Sequence, residues 1–318
     1  MTPASPRTSS RPSGRRSRSS TRTTSPASNQ RLSEPAPPTA AGQELPRRLV
    51  ALAIAAAVAV GLVYLLIVGT RWGQTLDERA LLGRDVISDL RTDQADRFLR
   101  IVSGGTIGIA MALVTAVAFL RGRPWLALVA AGSIVAAVIA TELLKLVILE
   151  RPDLIETTLN GGINSYPSGH TTVGMSVCFA AMLVVPARLR VGTALAAGAI
   201  GAAFGVAVVA AGWHRPSDAI GSYLVCLSAA AAAAALAYRY LPDRDQPRKA
   251  IRSGASEMVL FSLGLALLAV FAVAALASRG IPIFSAGSGF LVASGALVVA
   301  SFACAGLLAW AMAAAEEP

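Results

Sequence analysis

Apolar residues run in eight long stretches separated by polar or charged breaks, at about 48–69, 101–120, 125–149, 171–187, 191–212, 219–240, 258–278 and 287–313. An α-helix needs roughly 20 residues to cross a hydrocarbon core, and most of these stretches reach that length. In lipid every backbone N–H and C=O must be satisfied without water, so the pattern predicts an all-α, polytopic membrane helix bundle with about eight transmembrane helices. The fourth stretch is short and bounded by Pro186. The fifth is rich in Gly and Ala, which suits close helix packing inside a bundle.

The breaks are as informative as the spans. Residues 1–46 are rich in Ser, Thr, Arg and Pro and almost lack large apolar side chains, so they cannot bury enough surface to offset chain entropy. A disordered tail is expected there, too long and too polar ahead of the first apolar run to resemble a cleavable signal peptide. The chain then divides into a six-span core over 47–241, a loop over 242–257 and two additional C-terminal spans within 258–318. Between the first two spans, the segment 70–100 carries six arginines matched by six acids, Asp77, Glu78, Asp85, Asp89, Asp93 and Asp96. It reads either as amphipathic helix lying against the membrane or over a site, or as a plain solvated connector.

Composition agrees with a membrane protein: 54% of residues are hydrophobic and 14% charged, and the mean hydropathy is +0.60. A net charge of +10 could signal a nucleic-acid partner, but nine of the 28 basic residues lie in the first 48 positions and most others flank apolar runs. The charge therefore reads as topology and anionic-lipid contact, with no nucleic acid implied. If the tail with Arg47 and Arg48 is cytoplasmic, alternation places Arg121 and Arg123, Arg188 and Arg190, and Arg239 through Arg252 on that same side, and both termini inside. The three cysteines, Cys178, Cys226 and Cys304, lie far apart inside apolar runs and read as packing residues.

The chain holds only two histidines, each just outside an apolar span on the face that the charge rule makes external. His170 closes Tyr166-Pro167-Ser168-Gly169-His170, and His214 opens His214-Arg215-Pro216-Ser217-Asp218. Ser168, Gly169 and His170 precede a span, so free helix N-terminal amides make an anion site there. His214 and Asp218 are four apart at a helix start, so the carboxylate can orient one ring nitrogen and leave the other as nucleophile or base. Lys145, one of only two lysines against 26 arginines, precedes Arg151-Pro152; Arg151 offers a planar fork suited to phosphate oxygens. A buried Lys145 should face a polar cavity or snorkel outward. Metal binding needs three or four convergent ligands, and two histidines without a recurring carboxylate pattern do not supply them.

In this order the motifs resemble the type 2 phosphatidic acid phosphatase family, whose soluble relatives are bacterial acid phosphatases and vanadium haloperoxidases. The family shows a Lys before Arg-Pro, then Pro-Ser-Gly-His, then Ser-Arg and, five residues on, His-x-x-x-Asp. Here these map onto Lys145 with Arg151-Pro152, onto Pro167 to His170, and onto His214 with Asp218, within about residues 100–241. The resemblance implies a six-helix phosphatase core with its site at the outer membrane face. It implies His214 as the nucleophile forming a phosphohistidine, Asp218 as its orienting partner and His170 as the acid for the leaving group. Lys145, Arg151, Ser168 and the Gly169 backbone would hold phosphate oxygens, with no metal and no cofactor. Two departures stand out. Five residues separate Lys145 from Arg151 where the usual pattern has six, a rotation of about 100° on a helix that must be absorbed. The Ser-Arg pair is absent, its positions held by Ala207 and Val208, and Arg215 is the candidate to replace that phosphate-binding arginine.

The expectation is a multi-pass cell-membrane enzyme that hydrolyses a lipid phosphate or diphosphate on the non-cytoplasmic face. A lipid phosphotransferase using the same histidine chemistry and a non-catalytic lipid-binding relative are the alternatives. The sequence assigns no oligomeric state.

Overall fold

The computed structural model describes residues 40–86, 89–101, 104–157, 164–247, 250–251 and 286–314. The expected tail up to residue 39 and the apolar stretch 258–278 lie outside the described residues. Helix α1 spans Ala40–Val63 and continues as one wide π-turn, Tyr64–Val68. It begins seven residues earlier than the core boundary read from the sequence: Leu45 and Leu49 already bury, and Arg48 donates to the Ala313 carbonyl at 3.2 Å. Then come α2 (Arg71–Leu82), α3 (Asp89–Arg100), α4 (Gly104–Leu120), α5 (Pro124–Leu143), α6 (Gly169–Val184), α7 (Arg190–Ala210), α8 (Pro216–Tyr240) and α9 (Ala286–Ala311). The only extended pairing among the described residues joins Ala250–Ile251 to Ala313–Ala314 in parallel.

Among the described residues five helices are long and apolar enough to cross a membrane: Glu44–Val68, Pro124–Ile148, Ala187–Ala210, Pro216–Tyr240 and Ser288–Ala311. The stretch expected at 101–120 forms α4, whose axis turns 62° from the end of α3, so this span is bent or broken rather than straight. The stretch at 171–187 forms α6, whose 16 residues reach about 24 Å at 1.5 Å per residue, short of the roughly 30 Å of a hydrocarbon core. Pro186 stops it, because proline cannot continue the backbone ladder.

α8 is the centre of the bundle. Its most apolar window is 67% buried, against 17% for α1, and it packs on α1, α5, α6 and α9. An alanine-rich sequence makes that contact possible, because small side chains let backbones approach closely where no hydrophobic drive separates helix from lipid. Peripheral helices instead leave large apolar side chains outward, such as Ile54, Val58 and Leu65 on α1 and Leu113 and Leu120 on α4. α9 docks on α7 through the Ser301 hydroxyl, which donates to the Gly198 carbonyl at 2.8 Å.

The loop between α5 and α6 is tied down by polar side chains that satisfy its backbone. Tyr64 donates to the Glu150 carbonyl at 2.6 Å, Gln74 to Pro152 at 2.7 Å, and Asn164 to Leu149 at 2.8 Å. Tyr166 runs inward to the Val60 carbonyl at 2.7 Å. Its ring lies 2.4 Å from where a side chain at Gly221 would begin, so only glycine admits it. Between α7 and α8, Gly212 turns the chain at φ 72°, and the Arg84 guanidinium fills the space where a Cβ would stand. That turn delivers Trp213 and His214 to the end of the bundle where Lys145, His170 and α2 meet.

Candidate active site

Asp218 is the third residue of α8 and fully buried, and its carboxylate closes the helix start by accepting from the Arg215 amide at 3.0 Å. The same oxygen accepts from the Ser165 hydroxyl at 2.6 Å and faces His214 Nδ1 at 3.3 Å. An ionised carboxylate only accepts, so Nδ1 carries the hydrogen and the Nε2 lone pair is left free. Ser165 belongs to no motif read in the sequence. Only the fold brings it 53 positions across the chain to Asp218.

His170 sits at the start of α6. Ser168 caps this helix by accepting from the Thr171 amide at 3.4 Å, and its own amide donates to the Asp218 carbonyl at 3.0 Å. Ser222 Oγ donates to the Ser168 carbonyl at 2.7 Å, so α6 and α8 start from one shared hydrogen-bond knot. Ser168 is therefore buried and committed to the helix start. The His170 ring stands edge-on to Trp213, with centroids 5.0 Å apart.

The shortened spacing leaves Lys145 and Arg151 in different places: Lys145 lines a cavity with both histidines and Arg151 does not. α5 ends in a π-turn, Leu144–Ile148, in which the Leu149 amide bonds the Leu144 carbonyl five residues back at 2.9 Å. The wider turn changes the angular phase of the residues before Arg151. Lys145 lines one cavity with both histidines, while Leu144 lines a separate apolar hollow against α1 and α8. Glu142, three residues back, holds the Lys145 ammonium at 3.0 Å.

His170, His214, Lys145, Glu142 and Gly169 line one cavity of roughly 350 Å³. Its remaining walls include Ile107, Val138 and Val173 from α4, α5 and α6, so part of the lining is apolar. Arg151, Ser168, Arg215 and Asp218 do not line it. Arg151 lies buried between Asp77 at 3.5 Å and Asp218 at 3.8 Å. Arg215 is buried against Glu78 at 3.3 Å and the Thr157 hydroxyl.

Asp77 and Glu78 are the residues the sequence did not single out. They project from α2, which makes the segment 70–100 helical in two pieces and packs its first piece over the buried side of the site. Asp77 accepts from the Ser217 amide at 3.1 Å and from the Ser217 hydroxyl. Burial raises its pKa to about 6, the neighbouring Asp218 charge adds to the rise, and the Ser217 hydroxyl and Arg151 oppose it.

Such a constellation defines a helical protein of membrane-spanning type with a histidine–carboxylate pair and a lysine at one cavity. Residues 125–246 match the family model of the PAP2 superfamily, a match consistent with the type 2 phosphatidic acid phosphatase family that the motifs resemble. Phosphatase-type activity is the general property of that superfamily. Neither curated proteins nor solved structures gave a match. The matched segment takes in α5 to α8 and leaves α1 to α4 and α9 outside it.

Proposed function

We propose that the chain is a membrane phosphatase that hydrolyses a lipid phosphate or diphosphate through a phosphohistidine at His214. The observation that carries the reading is one cavity whose lining combines both histidines and Lys145 with the apolar side chains of Ile107, Val138 and Val173. An amphiphilic phosphate matches both kinds of group, its headgroup against the cations and its chain along the apolar side chains.

In this mechanism Nε2 of His214 attacks phosphorus while Asp218 stabilises the developing imidazolium through Nδ1–H. The P–O bond to the leaving group breaks, and His170 gives that oxygen its proton. Water then attacks the phosphohistidine, losing its proton to His170, and the P–N bond breaks to return free His214 and inorganic phosphate. Lys145 and the Gly169 amide are the groups assigned to phosphate oxygens from the cavity wall. Arg151, Arg215 and Ser168 act from one layer behind, through Asp218 and the helix starts. The basic loops support an orientation with both termini cytoplasmic and the cavity at the opposite face. The scheme needs neither metal nor cofactor.

Purified chain in detergent should release inorganic phosphate from at least one member of a panel of lipid phosphates and diphosphates, and His214→Ala should release none. Activity retained in His214→Ala would sink the mechanism. Product carried onto an added acceptor alcohol, in place of free phosphate, would make the enzyme a phosphotransferase.

A further inference from the structure

The two arginines beside the site are both held by consecutive carboxylates of a helix outside the family-matched segment. Asp77 and Glu78 are each buried, and a buried carboxylate persists only where specific partners replace its water. Their partners are not scattered. Asp77 takes the Ser217 amide and hydroxyl at the start of α8 and reaches Arg151 at 3.5 Å. Arg151 continues to Asp218 Oδ1 at 3.8 Å, and Asp218 Oδ2 meets His214 Nδ1 at 3.3 Å. Glu78 takes Arg215, the residue next to His214, at 3.3 Å, and accepts from Thr157 at 3.3 Å. Gln74, one turn earlier on α2, donates to the Pro152 carbonyl and fixes the helix beside Arg151.

We infer that Asp77 and Glu78 are positioning residues of the active site, with α2 setting the orientation of Asp218 and His214 through Arg151, Arg215 and the first turn of α8. The inference rests on His214 being the proposed nucleophile. Physically, Arg151 is shared between two carboxylates. With Asp77 intact its attraction is divided, and Asp218 stays turned toward His214. Without the Asp77 charge Arg151 is drawn wholly to Asp218 and competes with the imidazole for it. A helix that served only as a staple would contribute stability and leave the imidazole alone.

The test uses the full chain in detergent or lipid, with Asp77→Asn, Glu78→Gln and the exchange Glu78→Arg with Arg215→Glu. Asp77→Asn keeps an acceptor for the Ser217 amide and removes the charge. Its kcat for phosphate release should fall at least about tenfold with KM within about threefold, at a melting temperature close to that of the wild type. Since the chain has only two histidines, ¹⁵N-histidine labelling gives two imidazoles to follow. The His214 signals should report an Nδ1–H tautomer in the wild type and shift toward mixed tautomers in Asp77→Asn. The exchange should recover at least a third of the kcat that Glu78→Arg alone loses, which keeps the question open to test if a single variant folds poorly. Unchanged kcat and unchanged His214 signals in Asp77→Asn would overturn the inference, as would an exchange that recovers nothing. A wild type without phosphatase activity but with the shifted imidazole in Asp77→Asn would sink the phosphatase reading and leave the positioning role standing.

Discussion

The Leu149 amide bonds the Leu144 carbonyl at 2.9 Å, five residues back, and within this wide turn Lys145 lines the cavity that it shares with both histidines while Leu144 lines a separate apolar hollow. Lys145→Leu should therefore reduce kcat/KM by about 10²–10³, as loss of a preorganised charge at a developing anion does. The double variant Leu144→Lys with Lys145→Leu restores the family's usual spacing and should stay as inactive as Lys145→Leu. Recovery of activity in the double variant would show that the π-turn does not set which residue reaches the phosphate.

Nucleophile and leaving-group acid fail differently. With an activated aryl phosphate in a rapid-quench assay, an acid-labile, base-stable phosphoenzyme should form in the wild type and in His170→Ala. It should be missing in His214→Ala. On a lipid phosphate, whose alkoxide leaves poorly without a proton, His170→Ala should be nearly as damaging as His214→Ala. Label persisting in His214→Ala would move the nucleophile elsewhere.

Ser165 donates to the same Asp218 oxygen that His214 faces. Hydrogen bonds to a charged group contribute about 1.5–3 kcal/mol, so Ser165→Ala should lower kcat on the order of tenfold to a hundredfold, while Ser165→Thr, which keeps the hydroxyl, should lose far less. Steady-state kinetics on both variants checks this, and equal losses would assign the effect to packing.

Asp77 gives a pH signature in stability. Burial raises its carboxyl to about 6 in the folded protein, above the 3.8 of an ordinary aspartate, so the folded state binds its proton more tightly than the unfolded chain does. The contribution of Asp77 to stability thus rises as pH falls through 6 toward 4 and is least favourable above 6. The melting temperature of the wild type relative to Asp77→Asn should rise on going from pH 7 to pH 4.5. A difference that stays flat or runs the other way would contradict the burial-driven shift.

The proposed sidedness rests on the basic loops. Asp153 is exposed beside Arg151, so an impermeant maleimide should label Asp153→Cys in intact cells. Labelling only after the cells are opened would invert the orientation.

Much of this protein was legible from one dimension. Helical spans follow from long apolar runs because a bilayer leaves the backbone no other way to satisfy itself, and five of them appear as expected. His214 with Asp218, and Ser168 to His170, were readable because each pair or triplet works within one helical turn, where spacing fixes geometry. α6 fell short of a full span at Pro186, and α4 met α3 at an angle, because length alone does not report how a helix is cut or tilted. What only the tertiary structure decided lies between elements. Ser165 reaches Asp218 across 53 positions, and Asp77 reaches Ser217 across 140. In the sequence Asp77 and Glu78 are two of six acids balancing six arginines, indistinguishable from a solvated helix face. They differ from Asp93 and Asp96 because α2 buries them, and a buried carboxylate must find cationic and amide partners. Those partners are the residues around His214.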